Sequence, residues 1–403
     1  MAAASPTMTQ TGHSVPTFRS AQMIALIVGI VGLLASAAGW LMNPNIFFPA
    51  YLIAVFFWTG VVWGAMAVAM VYYMAGGPWG AVIRTFLEAS MRTMWLMALL
   101  FIPIFVGIPY LYIWSHPEIV ELSQLYQFKV FQIGWLTVPF FIGRTILYFA
   151  IWLILVFALN RLSARQNQTG DPKIRQSMGR WSAGGMILLI LTSTFAAFDW
   201  IMSIQPSFAS TAFGAVEGAS ALIAGFAVII TVAALLAYRE PWRHLWSYKI
   251  WMTLGGWMFA FTMLWAYLAY SQFMLIWYGN LPEETEPFIR RFGGVWEYII
   301  IVIFVVSFVV PFILLLLPNF KVNMRSMAIL AIILAFMRLV NVYWWVAPAY
   351  TYDPNTSWLY ITAPLGVGGL WVWFFLWQLK RRPLLPLHDP KLPSAPEVKH
   401  DDE

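Results

Sequence analysis

Five formally charged residues lie inside long apolar stretches of this chain: Arg144, Asp199, Glu217, Glu297 and Arg338. Charge inside lipid is costly and often marks proton relays, ion paths or substrate sites. Because arginine keeps its proton, we expect Arg144 and Arg338 to be charge partners and the three carboxylates to transfer protons. Structural alternatives stay open: the arginines as ion pairs that hold helices together, and Glu297 as a side chain that only reaches the outer interface.

Asp199 is the strongest of the three candidates for proton transfer. It lies between Phe198 and Trp200, and apolar neighbours disfavour the ionised form of a carboxyl group, which suits it to exchange protons. Glu217 is flanked by small residues that admit close helix packing. The sequence therefore predicts that Asp199 and Glu217 carry protons, with Glu297 as a weaker third candidate.

The same apolar stretches contain no His, and the whole chain has no Cys. The five histidines fall in predicted loops or tails: His13, His116, His244, His388 and His400. Haem in membranes is usually held by His, and iron–sulfur clusters by Cys thiolates. We therefore expect no metal site and no covalently bound cofactor here, and we expect any metal redox centre to lie on a partner protein.

The composition predicts an all-α polytopic membrane protein, with 61% hydrophobic and 10% charged residues. About 20 apolar residues cross a bilayer, and ten such spans are predicted, near 22–41, 47–74, 94–114, 135–160, 181–203, 212–237, 250–278, 295–317, 326–347 and 357–379. The chain then divides into a polar tail (1–20), a ten-helix membrane domain (21–380) and a Pro-rich tail (381–403). We expect this last tail to be disordered or to lie on a partner.

The basic residues predict the orientation of these spans. Eighteen of the 23 Lys and Arg fall on the side that holds both termini, and only Lys129, Arg290 and Arg291 fall in the loops of the other side. An excess of this kind marks the cytoplasmic side, so both termini are predicted to be cytoplasmic. The net charge of +6 then indicates contact with membrane lipid and not with nucleic acid.

This topology also predicts the depth of the buried charges. The three acids fall toward the outer side and the two arginines nearer the midplane, so the inner half of the bundle is expected to hold no charge. Segment 78–93 places Arg84, Glu88 and Arg92 on one helix face. That pattern predicts either a helix in the inner interface or an ordinary solvated helix face.

Aromatic residues near the outer ends of the spans have two interpretations. Tyr343, Trp344 and Trp345 are most simply an interfacial belt. Tyr270, Gln272, Trp277 and Tyr278 are candidates for lining a quinone pocket, which needs flat apolar walls and a few polar groups, although the tyrosines and the tryptophan fit a belt as well.

Two stretches are specific enough to suggest a family. Residues 269–285 read AYSQFMLIWYGNLPEET, and residues 198–214 read FDWIMSIQPSFASTAFG. Together with the runs around Arg144 and Arg338, they resemble the NrfD-like membrane subunits of alternative complex III, a bacterial quinol:cytochrome c oxidoreductase, most closely its ActF subunits. The resemblance covers roughly residues 20 to 380.

The resemblance implies two four-helix bundles, about spans 2–5 and 6–9, flanked by peripheral helices in a bacterial inner membrane. It also implies a sister NrfD-like subunit, an iron–sulfur subunit and haem c subunits as partners, with menaquinone or ubiquinone as the quinone. The family's usual Asp-Pro-His-Trp is replaced here by Gln205-Pro-Ser-Phe208, which places quinol oxidation in the sister subunit.

The resulting expectation is a respiratory-chain subunit that is not catalytic alone and contributes to quinone association, an outer-side proton half-channel, or both. One alternative is the quinol-oxidising membrane subunit of a polysulfide- or nitrite-reductase-type complex. Another is an ion-coupled secondary transporter, which needs broken helices and a midplane site. A scaffold subunit without chemistry of its own is the third.

Overall fold

The computed structural model describes residues 18–116, 129, 133–351, 357–386 and 388–392. Within these residues the chain is helical and contains no strand, and ten helical stretches are long and apolar enough to cross a membrane. The predicted all-α polytopic fold is therefore confirmed. Most of the predicted N-terminal tail (1–17) and the end of the C-terminal tail (393–403) lie outside the described residues.

The α-helices are numbered here in chain order. The first seven are α1 (Arg19–Met42), α2 (Pro44–Ala75), α3 (Pro78–Met91), α4 (Met94–Leu111), α5 (Val138–Thr169), α6 (Pro172–Trp200) and α7 (Phe213–Leu236). The remaining seven are α8 (Tyr248–Gly279), α9 (Pro282–Ile289), α10 (Gly294–Phe304), α11 (Val310–Leu316), α12 (Pro318–Val322), α13 (Met324–Val346) and α14 (Leu359–Lys380).

The connection between α5 and α6 is much shorter than the hydropathy pattern predicts. Helix α5 continues to Thr169, and α6 begins at Pro172. Gly170 adopts the left-handed conformation that ends α5, and the Asp171 side chain accepts the Lys173 backbone N–H at 2.8 Å, which caps α6. The polar residues that end the apolar run therefore extend both helices and do not form a long loop.

Helix α2 is the centre of the bundle, and almost all of its residues from Phe47 to Tyr73 are buried. It packs most extensively against α7. At their crossing, a Cβ atom on Gly64 would lie 2.0 Å from the Ala221 carbonyl oxygen, and one on Gly225 would lie 2.5 Å from the Ala65 nitrogen. Only glycine permits this approach, which brings the buried charge on α7 against α2.

Helices α2 to α6 and helices α7 to α13 correspond to the two expected bundles, but α2 packs more extensively on α7 than on any helix of its own group. Helix α1 packs mainly on α14. A Cβ atom on Gly369 of α14 would lie 2.4 Å from the Gly29 nitrogen of α1, so small residues set this contact as well. The division of the helices into two separate bundles with peripheral helices stays a prediction.

Helix α3 corrects one prediction. The segment was expected to lie in the interface or to have a solvated face, but all its residues from Trp79 to Met91 are buried. It leads through Arg92 and Thr93 into α4, and the two helices form one membrane-crossing stretch. The charged face of α3 is satisfied by other parts of the chain, which helical periodicity alone does not reveal.

The eighth crossing is not a regular α-helix. Helices α10 and α11 are joined by a single π-helical stretch, Val305–Val309, and Pro311 follows directly. Proline lacks the backbone N–H that an α-helix needs at that position, and π-helical insertions are frequent at functional sites. This interruption directly follows Ile300, Ile301 and Phe304, which line an aromatic pocket.

Candidate functional site

The bundle has two ends that differ in what they hold. We call the end where α1 begins and α14 ends the termini end, and the opposite one the far end. A hydrogen bond from Lys380 Nζ to Gln22 Oε1 at 2.6 Å joins the two terminal helices at the first. At the far end, Lys129 Nζ donates to the carbonyl oxygens of Pro206 and Phe208, at 2.9 and 3.0 Å.

Arg144 and Asp199 form a complete ion pair near the far end. Arg144 Nε and Nη2 each donate to one carboxylate oxygen of Asp199 at 2.8 Å. Tyr148 Oη donates to the same carboxylate at 2.7 Å, and Trp135 Nε1 at 3.1 Å. The guanidinium carbon also lies 4.2 Å from the Trp135 ring centroid. The predicted pairing of Arg144 with a carboxylate is confirmed.

This geometry bears on the predicted proton transfer by Asp199. The side chain is fully buried and accepts four hydrogen bonds, two of them from a guanidinium group. Such charge-assisted contacts are typical of a permanent ion pair that joins α5 and α6. The proton-transfer role of Asp199 stays a prediction, and the structural alternative gains support.

Glu217 and Arg338 are arranged differently. Both line one small cavity of about 10 Å³ between α2, α7 and α13, a space that holds about one water molecule. Among the described residues, they are the two charged side chains with buried atoms that lack a hydrogen-bond partner: Glu217 Oε1 and all three guanidinium nitrogens of Arg338. Burying charge without such partners is costly.

The aromatic ring of Trp265 lies against the Arg338 guanidinium group. The guanidinium carbon lies 3.8 Å from the ring centroid, a cation–π contact that partly offsets the cost of burial. The pair thus consists of a carboxylate and a guanidinium group that face one cavity and are not fixed to each other. Of the three predicted proton-transfer residues, Glu217 has the environment best suited to changing its protonation state.

Glu297 is placed apart from this pair. It is exposed at the start of α10, where its carboxylate accepts the Gly293 backbone N–H at 3.2 Å. A carboxylate in the first turn also complements the helix dipole. This hydrogen bond caps the start of α10, and proton transfer by Glu297 stays a prediction.

A larger pocket adjoins the Glu217–Arg338 pair. It has a volume of about 320 Å³, within the range of small-molecule sites, and lies between α7, α8, α10 and α13; we call it the lateral pocket. Its walls are aromatic, with Trp265, Phe273 and Trp344 among them. Val216 and Asn341 also line it. Val216 directly precedes Glu217 in the sequence, and Asn341 follows Arg338 by three positions.

The lateral pocket opens at the side of the bundle. Tyr270, Ile301 and Phe304 line it and are 60%, 51% and 47% exposed. These residues lie on membrane-crossing helices, so the opening faces the bilayer. An apolar molecule dissolved in lipid can therefore enter between α8 and α10 without crossing water.

The four predicted pocket residues divide between three places. Tyr270 and Gln272 line the lateral pocket. Trp277 stacks on Phe273 at 5.7 Å between ring centroids and lines a neighbouring cavity of about 350 Å³. Tyr278 is 85% exposed on the outside of α8. Two of the four residues therefore line the lateral pocket, and their assignment to quinone binding stays a prediction.

The interfacial-belt interpretation of Trp344 and Trp345 was wrong. Both are buried, at 4% and 9% exposure, and both line the lateral pocket. Asn341 and Trp265 were also missed by sequence reasoning. The available signal was the position of Asn341, a polar residue one helical turn after a buried arginine.

Arg291 fixes the end of the helix that carries these tryptophans. It was predicted as a loop residue, but it is 1% exposed, and it donates to the Trp344 and Trp345 carbonyl oxygens at 3.0 and 2.6 Å. Burial, with a smaller effect of neighbouring Arg290, lowers the pKa of Arg291 to about 9. Its charge therefore persists at neutral pH and lies at the carbonyl end of α13, where cations are favourable.

The expectation that the inner half of the bundle holds no charge was wrong. At the termini end, Arg84 donates from Nε to Glu88 Oε1 at 2.7 Å and from Nη1 to Asp389 Oδ2 at 2.8 Å. Arg175 Nη1 donates to Asp389 Oδ1 at 2.8 Å. We call this group the termini cluster: Tyr72, Tyr73, Arg84, Glu88, Ser163, Arg175 and Asp389.

Asp389 comes from the tail that was expected to be disordered or to lie on a partner. Its carboxylate is fully buried among α2, α3 and α6, so the described part of this tail packs on its own membrane domain. Burial alone would raise the pKa of Asp389, but the Tyr72 hydroxyl and the charges of Arg84 and Arg175 outweigh it and hold that pKa below its usual value.

Comparison with protein-family models and with curated proteins gave no match. The features that bear on function are therefore the lateral pocket, the Glu217–Arg338 pair beside it and the sequence resemblance described above.

Proposed function

We propose that this chain is a quinone-associated membrane subunit of a quinol:cytochrome c oxidoreductase of the alternative complex III type. The lateral pocket carries the proposal. It is aromatic, has the volume of a ring-sized ligand, opens toward lipid and adjoins a buried acid. These are the features that a lipid-soluble quinone requires of a binding site.

The proposal includes the setting implied by the resemblance. The chain would lie in a bacterial inner membrane with both termini in the cytoplasm, beside a sister NrfD-like subunit, an iron–sulfur subunit and haem c subunits. Its membrane stretches contain no His, and the chain has no Cys, so the metal redox centres are assigned to those partners. In this chain, Glu217 would handle protons at the far-end side of the bilayer, next to the quinone.

Quinone binding is tested with the purified chain in lipid nanodiscs and a quinone that carries a photoreactive azido group on its ring. We expect cross-links in α8, α10 and α13 that excess decylubiquinone suppresses. Ala269 lines the pocket, so Ala269→Phe should abolish labelling. Ala260 is exposed on the same helix, and Ala260→Phe should leave labelling intact. Equal labelling of the two variants would remove the lateral pocket from the proposal.

Membership of the complex is tested by co-purification. Mild detergent extraction from the native membrane, with this chain as the affinity target, should recover iron–sulfur and haem c proteins in constant ratio. Recovery of the chain alone under conditions that preserve other respiratory complexes would contradict that part of the proposal.

An ion-coupled secondary transporter is the second candidate, and two observations favour it. The eighth crossing is interrupted at Val305–Val309, and buried charge occurs at both ends of the bundle, so charge is not confined to one side of the membrane domain. Transporters use interrupted helices at their binding sites. Purified chain in liposomes should then show solute uptake driven by a pH or sodium gradient, which the quinone-subunit proposal does not expect.

A further inference from the structure

We infer that Asn341 is the residue that recognises the head group of the lateral-pocket ligand, and that this head group carries a ring oxygen. The inference deepens the proposed function and rests on it, because it assigns the polar contact of the same quinone site. Asn341 was not a candidate from sequence, and its role follows from its hydrogen bonding.

Asn341 is a buried amide without a complete set of partners. It is 3% exposed on α13, and its Nδ2 atom has no hydrogen-bond partner among the described residues. A side-chain amide carries two N–H donors and one acceptor, and a buried amide that leaves its donors unused is unfavourable. Rotation about χ2 exchanges the nitrogen and oxygen positions, so either end of the amide can face the pocket.

Two other polar side chains of the pocket already donate to protein partners. The Gln272 amide nitrogen donates to Ser210 Oγ at 3.0 Å, and Trp344 Nε1 donates to the Trp296 carbonyl oxygen at 3.1 Å. Trp265 Nε1 resembles Asn341 in having no partner, and an indole nitrogen can only donate. The unused groups on the pocket wall are therefore mainly donors, which call for an acceptor on the ligand.

A ring carbonyl supplies that acceptor. The apolar remainder of the pocket fits the flat faces of a ring, and the opening between α8 and α10 lets an isoprenoid or alkyl tail leave toward lipid. The amide of Asn341 also has an acceptor of its own, so it can accept from the hydroxyl group of the reduced form. Asn341 thus distinguishes a ring with oxygen substituents from a purely hydrocarbon ring.

The test compares two competitors of the photoreactive quinone on the full chain in nanodiscs: decylubiquinone and decylbenzene, which lacks ring oxygens. Wild type should bind decylubiquinone more tightly. Asn341→Leu, close in size but apolar, should weaken the binding of decylubiquinone by about tenfold, equivalent to about 1.4 kcal/mol. The binding of decylbenzene should be unchanged. Asn341→Ser keeps a hydroxyl donor and should retain part of the preference for decylubiquinone over decylbenzene. That result would show that the loss in Asn341→Leu does not come from misfolding.

The possible failures are distinguishable. If Asn341→Leu keeps the full wild-type preference for decylubiquinone, the recognition role of Asn341 is excluded while the pocket remains a quinone site. If both competitors bind wild type equally, head-group recognition in this pocket is excluded altogether. If wild type binds neither, the proposed quinone function of the lateral pocket fails, and the inference fails with it.

Discussion

Asp389 and Arg84 lie 305 positions apart in the sequence, yet Arg84 Nη1 donates to Asp389 Oδ2 at 2.8 Å in a fully buried ion pair. The contact ties the segment after the last membrane helix to α3. The same carboxylate accepts from Tyr72 on α2 and from Arg175 on α6. One side chain of the C-terminal segment thus joins three helices that belong to the first bundle.

Asp389→Asn should destabilise the termini end. The change leaves the buried guanidinium of Arg84 with Glu88 alone as a charged partner, and breaking a buried pair costs about 3 kcal/mol. We expect a lower thermal unfolding midpoint in detergent and faster hydrogen exchange in α3. Lys391→Gln, an exposed change two residues away, is the control. Equal midpoints for the two variants would contradict a structural role for the Asp389 contact.

The pH dependence of this contact has a defined sign. The folded-state pKa of Asp389 lies below its ordinary value of 3.8, so its contribution to stability is present above that value and is lost as the pH falls through the folded-state pKa. Wild type should therefore lose stability relative to Asp389→Asn as the pH is lowered below about 4. Thermal unfolding midpoints of wild type and Asp389→Asn between pH 3 and 7 measure the difference. If the two midpoints change in parallel with pH, the ionisation of Asp389 does not contribute to stability.

Asp199→Asn should act mainly on stability. Asparagine cannot supply two anionic oxygens, so Arg144 would remain buried with its charge unpaired, at a cost of about 3 to 5 kcal/mol. The double variant Arg144→Gln with Asp199→Asn should recover part of that loss, because no charge is left unpaired. The unfolding midpoints of both single variants and the double variant check this. A single variant that is stable but slow in quinol turnover would instead support the proton-transfer prediction.

Glu217→Gln should act mainly on turnover and less on stability. Glu217 makes no direct hydrogen bond to Arg338, so the fold loses the attraction between two facing charges but no hydrogen bond, and we expect a smaller destabilisation than for Asp199→Asn. A proton carrier beside the quinone would be removed. In the assembled complex we expect quinol:cytochrome c turnover to fall by about 10²-fold, the lower range for loss of a positioned acid or base. Glu240→Gln, a partly exposed acid at the termini end, should retain wild-type turnover. Unchanged turnover of Glu217→Gln would remove this residue from proton transfer.

The sequence predicts the membrane fold well because hydropathy reports the environment of each helix directly. It also predicts that Arg144 needs a carboxylate, since a buried guanidinium cannot lose its charge. It does not predict Asp389 as a buried partner, because a single acid in a Pro-rich tail has no periodicity that links it to α3. The docking of that tail depends on tertiary contacts alone.

The lateral pocket shows a second limit of the same kind. Trp344 and Trp345 have the composition of an interfacial belt, and only their packing places them inside the bundle. Sequence reasoning found Tyr270 and Gln272 as aromatic and polar residues of one helix, but the pocket also draws Val216, Ile301 and Asn341 from three others. Which helix faces meet depends on close crossings such as that of Gly64 with Gly225.

Arg291→Lys should weaken both the fold and the pocket. Lysine cannot donate from a planar fork to the Trp344 and Trp345 carbonyl oxygens while lying against their rings, which Arg291 does at 5.2 Å from each ring centroid. We expect a lower unfolding midpoint and several-fold weaker quinone labelling, because the end of α13 forms part of the pocket wall. The neighbouring Arg290 is about 39% exposed and pairs with Glu286 in the same helix, so Arg290→Lys should be within about 0.5 kcal/mol of wild type. If the two variants behave alike in both measurements, Arg291 does not hold the wall of the lateral pocket.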